Sequence, residues 1–158
     1  MTFDRRTFRD ALGCFATGVT IVTALDPEGR LLGITANSFS SVSLEPPLIL
    51  FSLARKAYSF EAFCRSRHFA VNVLAAGQAE LADSFAQALA DKWAGVEFDV
   101  WDTDCPIIKG AHAQFECRTA STYDGGDHVI FLGSVERMAH HPNRPPLIYY
   151  RGGYHELG

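Results

Sequence analysis

The feature of this sequence that most constrains its fold is a stretch of strict alternation late in the chain. Between positions 111 and 118 apolar residues alternate with polar ones, the apolar set being Ala111, Ala113, Phe115 and Cys117 and the polar set His112, Gln114, Glu116 and Arg118. A period of two is typical of a β-strand with one face inward and one toward water, as in an antiparallel sheet. We therefore expect the apolar set to be buried and the polar set to be solvated.

The residues that follow predict the partner of this strand. Asp124-Gly125-Gly126-Asp127 has the composition of a tight turn. Val129, Phe131 and Val135 then supply the apolar face of a return strand. Together they predict the clearest hairpin in the chain.

Other strands are predicted from apolar, β-branched runs. Val19 to Leu25 has apolar side chains on both faces, which indicates a strand buried on both sides. Asp26-Pro27-Glu28-Gly29 has Pro second and Gly fourth, so it predicts a turn with a strand resuming near Leu31. The remaining predicted strands span 48–53, 69–74 and 147–150.

Helical spacing begins near the start of the chain. Phe8, Leu12 and Phe15 fall at i, i+4 and i+7 and predict one apolar helix face. We expect this helix to end near Gly13 or Gly18.

Two further helices are predicted in the middle of the chain. Leu81, Phe85 and Leu89 at i, i+4 and i+8 predict one, and 58–65 a shorter one, whereas 93–106 gives no clear signal. About seven strands with few helices, mostly linked by short turns, predict a closed or nearly closed antiparallel barrel with helices packed outside.

Composition limits the class of protein. A chain of 158 residues is the size of one domain, since domains run to roughly 100–200 residues. Its composition, with 47% hydrophobic and 20% charged residues, is typical of a globular protein. This composition argues against a disordered chain, a fibre and a coiled coil. A net charge of −4 at pH 7 gives no basic footprint, so we expect no nucleic-acid partner.

The cysteines and the apolar runs bear on the compartment. No cysteine pair forms a CxxC motif, so we expect reduced, mostly buried thiols at Cys14, Cys64, Cys105 and Cys117. The first residues lack the apolar stretch of a signal peptide. The longest apolar run, 48–54, falls far short of the ~20 residues of a membrane-spanning helix. We therefore expect a soluble, cytoplasmic protein without a membrane partner.

Several common catalytic motifs are absent. There is no GxGxxG after a strand and no GxxxxGK[ST], so a Rossmann or P-loop nucleotide site is not expected. There is no HExxH and no GxSxG, so the sequence predicts neither a metal site nor an α/β-hydrolase.

Three polar segments are candidate binding elements. Residues 35–41 are small and rich in hydroxyl and amide groups, which suits the polar edge of a heterocycle, a sugar chain or a phosphate. Residues 52–59 combine Arg55 and Lys56 with two serines, which suits an anion. Residues 126–128 place a histidine at a hairpin tip, where it can dock a planar ring or donate a hydrogen bond. Each segment alone is better explained by ordinary loop, cap or turn chemistry.

Taken in order, five segments resemble the short flavin reductases, the small reductase components of two-component flavin-dependent monooxygenases. They are Phe15-Ala-Thr-Gly-Val-Thr-Ile-Val-Thr, residues 33–48 (Gly-Ile-Thr-Ala-Asn-Ser-Phe-Ser-Ser-Val-Ser-Leu-Glu-Pro-Pro-Leu), Phe69-Ala-Val-Asn-Val-Leu, Gly126-Asp-His and Pro146-Leu-Ile-Tyr-Tyr. The resemblance runs from about residue 8 to residue 157, so it implies a single flavin reductase-like domain over 1–158.

This resemblance implies a mainly β fold with flanking helices, an FMN-binding split β-barrel that is antiparallel and Greek-key-like. It implies a homodimer with flavin near the subunit interface. It also implies an NAD(P)H:flavin oxidoreductase that reduces FMN or FAD with NADH or NADPH and supplies reduced flavin to a partner monooxygenase. The sequence leaves FMN against FAD open, and leans to NADH because no Arg cluster is assigned to a 2′-phosphate.

The resemblance also implies roles for particular residues. The flavin ring and ribityl chain would be lined by Thr35, Ala36, Asn37 and Ser38, with further contacts from Thr17, Gly18, Ser41 and Ser52. The flavin phosphate would be held by Arg55, Lys56 and Ser59. The nicotinamide would be bound by Asp127, His128 and Tyr154, with His128 the candidate catalytic residue.

These roles agree with the chemistry of hydride transfer. The nicotinamide must stack close to the flavin ring, and the flavin itself accepts the electrons. We therefore expect His128 to position the nicotinamide and not to act as an obligatory base. The alternatives are a flavin-binding split-barrel protein that serves as a flavin store or as an oxidase of another small substrate, and a barrel that binds an apolar small molecule without redox chemistry.

Overall fold

The computed structural model describes residues 2–88 and 91–157. Within these ranges the chain forms three α-helices and twelve strands. The helices are α1 (Arg5–Leu12), α2 (Phe60–Arg65) and α3 (Ala79–Phe85), with one 3₁₀ turn at Ala76–Gln78. The strands are β1 (Thr17–Gly18), β2 (Thr20–Leu25), β3 (Leu31–Ala36), β4 (Ser40–Leu44), β5 (Pro47–Ala54), β6 (His68–Val73), β7 (Phe98–Val100), β8 (Pro106–Ile108), β9 (Ala113–Gly125), β10 (His128–His140), β11 (Ile148–Tyr150) and β12 (Gly153–His155).

Seven of these strands form one antiparallel sheet in the order β3-β2-β6-β9-β10-β5-β4. The predicted hairpin is its centre, because β9 and β10 are thirteen residues each and pair along their length. Only Gly126 and Asp127 join them, and Gly126 lies at φ 77, in the left-handed region that glycine tolerates best. The turn and the return strand are therefore confirmed.

The connection between the two edge strands determines the curvature of this sheet. β3 ends at Ala36 and β4 begins at Ser40, and a link of four peptide steps spans at most about 14 Å. A flat sheet of seven strands would hold its edges about 29 Å apart. The sheet is therefore strongly curved. Its hydrogen-bonded order starts and ends on different strands, so among the described residues the barrel is not closed.

Phenylalanine rings fill the concave side of the sheet. Phe51 stacks on Phe131 with ring centroids 5.0 Å apart, and meets Phe69 edge-on at 4.9 Å. A Cβ at Gly133 would lie 2.5 Å from the Phe69 ring, so this position on β10 has no room for a side chain. The core is thus an aromatic cluster centred on β5, β6 and β10.

A second apolar cluster lies on the convex side. Helix α3 packs Ala82 and Phe85 against Ile21 of β2 and against Leu74. The opposite face of β2 contributes Val22 to the concave core. The prediction that this strand is buried on both sides is confirmed, and α3 packs outside the sheet as expected.

The burial predicted from the alternation at 111–118 is correct for the apolar residues and wrong for two of the polar ones. The apolar set faces inward as expected, but Gln114 is 5% exposed and Glu116 is fully buried. Residues 101–108 cover this face of β9, and Glu116 accepts hydrogen bonds from the backbone N–H groups of Asp102 and Thr103 and from the Thr103 hydroxyl. A carboxylate can be buried when its oxygens are so paired. The covering segment had given no sequence signal.

The first helix is confirmed as far as Leu12. It forms where predicted, with the Asp4 carboxylate accepting the Thr7 N–H at 2.7 Å and Gly13 as its C-cap. Its apolar face, however, is not buried: Phe8 is 51% exposed and Leu12 59%. Phe15 lies beyond the helix end and is 77% exposed. Phe3 packs against Phe8 with ring centroids 5.4 Å apart, but Phe8, Leu12 and Phe15 all remain more than half exposed.

The remaining predicted elements are largely confirmed. The 26–29 turn forms, with the Gly29 N–H donating to the Asp26 carbonyl at 2.9 Å. The middle helices appear as α2 and α3, although the Leu89 position predicted on the latter lies outside the described residues. The segment 93–106, which gave no signal, contains β7, and β12 was not predicted. Among the described residues, no helix has the length and apolar character needed to cross a membrane.

Candidate active site

Strand β5 ends where several predicted site residues meet. Its side chains alternate, so that Phe51 and Leu53 face the core while Ser52 and Ala54 face outward. The Ser38 hydroxyl donates to the Ser52 carbonyl at 3.0 Å and accepts the Ser52 N–H at 2.9 Å. This pair fastens the link between the two edge strands onto β5. The structure thus brings together the first two polar segments.

The third polar segment, residues 126–128, lies at the same end of β5. His128 pairs with Ala54 across the β5–β10 ladder, and such cross-strand partners place their Cβ atoms about 5 Å apart on one face. The next residue, Arg55, donates its backbone N–H to the Asp127 carbonyl at 2.9 Å. The predicted phosphate-binding and nicotinamide-binding residues are therefore neighbours, although 71 positions separate Arg55 from Gly126 in sequence.

Arg55 fixes the hairpin tip in place. Its guanidinium Nε donates to the Gly126 carbonyl at 2.9 Å, and Nη2 lies 2.6 Å from the Asp124 carboxylate. This hydrogen bond and the guanidinium charge lower the pKa of Asp124. Lys56 is exposed and forms no salt bridge within residues 2–88 and 91–157. Of the two candidate cations, Lys56 is the one left for an anion, while Arg55 already has a carboxylate partner.

His128 is oriented by its neighbour. Its Nδ1 lies 2.7 Å from the Asp127 carboxylate, and its side chain is 44% exposed. The hydrogen bond to His128 and the imidazole charge lower the pKa of Asp127. Because the carboxylate takes Nδ1, the Nε2 atom is the ring nitrogen available to a ligand. The Asp127 carboxylate therefore fixes the orientation of the His128 ring.

The last residues of β3 contribute backbone groups to the candidate site more than they contribute side chains. The Thr35 hydroxyl donates to the Ala82 carbonyl of α3 at 2.6 Å, which commits it to holding that helix. The Ala36 carbonyl accepts the Thr20 hydroxyl at 2.6 Å. Asn37 follows the strand and is exposed. Ala36 and Asn37 thus lead directly into the Ser38 bridge.

A small three-stranded sheet, β1-β11-β12, carries the other predicted ligand contacts. Thr17 pairs with Tyr149, which pairs in turn with Tyr154. The Thr17 Oγ1 atom is buried and has no hydrogen-bond partner in the described chain. A Cβ built on Gly18 meets no atom within 4 Å, so there is open space beside this backbone. Burial and the Asp83 carboxylate raise the pKa of Tyr154 to about 12.

Two further predicted residues lie on β4 and at the start of α2. Ser41 is exposed on the edge strand β4, where it pairs with Ile49. Ser59 is the N-cap residue of α2, but its side chain makes no capping hydrogen bond. Ser59 instead lines a cavity of about 630 Å³. This volume is within the range of ligand pockets, ~300–1,000 Å³.

Sequence reasoning did not find this cavity. Its walls come from three separate stretches, 30–33, 58–65 and 91–93. No local motif links them, because they meet only through the packing of α2 and of the segment after α3 beside β3. Within the described residues there is no group of three or more His, Cys, Asp or Glu side chains placed to hold a metal ion.

Comparison with known proteins gives the family. The model of the flavin reductase like domain matches residues 12–158. The chain therefore belongs to the flavin reductase like family.

Curated relatives agree in their names. The chain is 45% identical over 148 residues to the FMN reductase (NADH) SmoA of Agrobacterium fabrum, covering 94% of this chain and 83% of the relative. It is 43% identical over 152 residues to a probable flavin reductase of Rhizobium meliloti, covering 96% of this chain. It spans about half, 49%, of that relative's length.

Solved structures agree in their fold. The Streptomyces globisporus C-1027 NADH:FAD oxidoreductase SgcE6, solved in complex with NAD and FAD fragments, superposes with a TM-score of 0.93 at 38% identity. That match covers 98% of this chain and 93% of the other. The flavin reductase PheA2 in its native state matches with a TM-score of 0.91 at 39% identity, over 99% of both chains.

Proposed function

We propose that this chain is an NAD(P)H:flavin oxidoreductase, a single domain that reduces FMN or FAD and supplies the reduced flavin to a partner monooxygenase. The observation that carries the proposal is the meeting of Ser38, Arg55 and His128 around the end of β5. These are the residues to which family resemblance gives the ring, the phosphate and the nicotinamide. Relatives named as an NADH-dependent FMN reductase and as an NADH:FAD oxidoreductase support NADH as the reductant.

The residues present fit a flavin. The buried, unpartnered Thr17 hydroxyl and the open space beside Gly18 suit a flat ligand that accepts a hydrogen bond. Lys56 and the uncommitted Ser59 hydroxyl suit its phosphate. The remaining contacts we assign to the flavin come from Thr35, Ala36, Asn37, Ser38, Ser41 and Ser52.

When bound, the flavin supplies the electron-accepting ring that takes a hydride from the nicotinamide. The small side chains beside Asn37 would let backbone N–H groups approach that ring. Such donors stabilise negative charge that develops during reduction. The protein's part is therefore binding and orientation, and it needs no nucleophile of its own.

His128 and Tyr154 would hold the nicotinamide. The 2.7 Å contact between the Asp127 carboxylate and Nδ1 fixes the orientation of the imidazole. The Nε2 atom would therefore face the nicotinamide. Tyr154 would contribute its ring, because its hydroxyl lies beside the Asp83 carboxylate, which together with burial raises the pKa of Tyr154 to about 12. This positioning supplies the near-attack geometry that hydride transfer requires.

We further propose that the chain acts as a cytoplasmic homodimer of split barrels. The exposed Phe8, Leu12 and Phe15 side chains support this, since contiguous apolar surface of this kind marks interaction sites. The half-buried outer face of β5 and β10, with Leu50 and Leu132, is a second apolar surface of the same chain. A homodimer covers both without a different partner.

The proposal is tested by following NADH oxidation in air with purified protein, with and without added FMN. We expect NADH consumption that requires both the protein and added FMN. Repeats with FAD and with NADPH then show which flavin and which nicotinamide the protein prefers. A protein that binds flavin but leaves NADH unconsumed would be a store or an oxidase of another substrate. A protein that binds no flavin would contradict the proposal altogether.

A further inference from the structure

The tip of the β9–β10 hairpin carries the proposed nicotinamide-binding residues, but the sheet holds it on one side only. Pairing between β6 and β9 ends at Arg118, and residues 121–125 pair with β10 alone. Residues 122–127 are all exposed, and a Cβ built on Gly126 would meet no atom within 4 Å. Burial therefore contributes little to the position of this tip.

Arg55 attaches the tip to the rest of the sheet. Its backbone N–H donates to the Asp127 carbonyl at 2.9 Å, and its Nε donates to the Gly126 carbonyl at 2.9 Å. Its Nη2 donates to the Asp124 carboxylate at 2.6 Å. The same carboxylate oxygen accepts the Gly126 N–H at 3.2 Å, which closes the turn. A single residue thus contacts three of the turn residues.

The backbone that precedes Arg55 is firmly placed. Leu53 is 2% exposed and belongs to the aromatic core. Ser52 is fastened to Ser38 through two hydrogen bonds, and Ala54 pairs with His128. The Arg55 side chain itself is 45% exposed. Its contacts therefore connect the packed core to a turn that lies in solvent.

We propose that Arg55 is a positioning residue for the nicotinamide: it holds Asp127 and His128 in their binding geometry and does not bind the flavin phosphate. This inference rests on the proposed function. A guanidinium that already holds a carboxylate and a carbonyl must give up a partner to take a phosphate. Lys56 forms no salt bridge among the described residues and has no partner of this kind to lose.

The position of the tip matters because hydride transfer depends on geometry. The nicotinamide must lie in a near-attack position over the flavin ring, and small displacements of the groups that hold it reduce the rate. His128 is two positions beyond Gly126, so a tip that moves carries the imidazole with it. Asp127 orients that ring within the tip, whereas Arg55 fixes the tip itself.

A purely electrostatic role for Arg55 makes different predictions. NADH carries a negatively charged pyrophosphate, so it is attracted by the Arg55 charge and repelled by the Asp124 charge. Charge alone therefore predicts that neutralising Asp124 lowers the KM for NADH. Positioning predicts that it raises the KM, because the contact between Asp124 and Arg55 is weakened.

The experiment compares Arg55→Gln, Arg55→Lys and Asp124→Asn, the last of which keeps an oxygen for the Gly126 N–H. Arg118→Gln is the matched control, because Arg118 is a half-exposed arginine in a surface ion pair on the same hairpin. The KM and kcat for NADH are measured with saturating FMN and with riboflavin. Affinities for both flavins are measured by fluorescence titration. Hydrogen exchange of the backbone amides of 124–128 is measured without any ligand.

Arg55→Gln should raise the KM for NADH roughly threefold to tenfold with either flavin, since the hydrogen bonds of one side chain are lost. It should speed exchange of the tip amides and leave FMN affinity nearly unchanged. Asp124→Asn should raise the KM less. Arg55→Lys should restore little, because an ammonium lacks the planar fork, and Arg118→Gln should match wild type. In a His128→Ala background, Arg55→Gln should add no further increase.

Three results would overturn the inference. If Arg55→Gln weakens FMN but not riboflavin and leaves the KM for NADH unchanged, Arg55 is a phosphate ligand and the proposed function stands. If Asp124→Asn lowers the KM and Arg55→Lys restores it, Arg55 acts through its charge alone. If the tip amides exchange faster but the KM is unchanged, the tip does not position the nicotinamide. A wild-type chain that oxidises no NADH with any flavin would contradict both proposals.

Discussion

Strand β5 belongs to two regions of opposite character. Its inner face contributes Phe51 to a cluster of rings from which water is excluded, and this residue is fully buried. Its outer end contributes Ser52 and then Arg55, which bind backbone groups and a carboxylate in partly exposed surroundings. One strand therefore anchors the core and positions the candidate site.

This contrast separates what holds the fold from what binds ligands. The core depends on close packing, where removing one ring leaves a cavity. The candidate site depends on exposed hydrogen bonds and ion pairs, which contribute little to stability. Substitutions in the core should therefore change the free energy of unfolding, whereas substitutions at the end of β5 should change ligand affinity.

The largest expected effect is on the core. Phe51→Ala removes the ring that contacts both Phe69 and Phe131. We expect it to lower the free energy of unfolding by about 3–5 kcal/mol, measured by urea denaturation. Phe8→Ala, at a ring that is 51% exposed, is the control in the isolated chain. A comparable loss in the control would contradict the division between the two regions.

The next effect concerns the phosphate. Replacing Arg55 and Lys56 together with Ala should weaken FMN binding by about 2–3 kcal/mol, since charge-assisted hydrogen bonds are lost. Riboflavin, which lacks the phosphate, should be nearly unaffected. The single variant Lys56→Ala should carry most of the loss, because Arg55 already pairs with Asp124. Equal weakening of FMN and riboflavin would exclude the phosphate role.

A smaller effect is expected at the hairpin tip. His128→Ala should raise the KM for NADH several-fold, with less change in flavin affinity. Asp127→Asn should act in the same direction but more weakly, because it alters only the orientation of the ring through the Nδ1 contact. Steady-state kinetics at saturating FMN measures both, and unchanged kinetics in both variants would remove His128 from the site.

The smallest effect is expected on the stability of the fold at alkaline pH. Free tyrosine titrates near pH 10, whereas burial and Asp83 raise the pKa of Tyr154 to about 12. The folded state thus holds this proton more tightly, so the stabilisation is complete below pH 10 and is lost as the pH rises to about 12. Tyr154→Phe should make the midpoint of urea unfolding less dependent on pH over that interval. An unchanged slope would mean that Tyr154 is solvated in the folded protein.

Much of the fold could be predicted because its signals are local. A period of two and a Gly-Gly turn predicted the β9–β10 hairpin, and Pro27 with Gly29 predicted the first turn. The burial of Glu116 could not be predicted, because it depends on residues 101–108 lying over β9. Periodicity describes one strand and carries no information about what packs on its second face.

The candidate site was predictable for a different reason. No spacing rule joins Ser38 to Ser52 or Arg55 to Asp127. The family resemblance did so, and the strand pairing then placed these residues together. The pattern of α1 predicted an apolar helix face, but an amphipathic pattern carries no information about which chain covers that face. The cavity was missed because its walls share no motif.

The most direct test of the account is anaerobic mixing of a small amount of this protein with excess FMN and NADH, following the yellow flavin absorbance. The account predicts bleaching of many equivalents of FMN per protein chain, because a reductase releases reduced flavin and binds another. Bleaching limited to one equivalent, or no bleaching despite bound flavin, would contradict it.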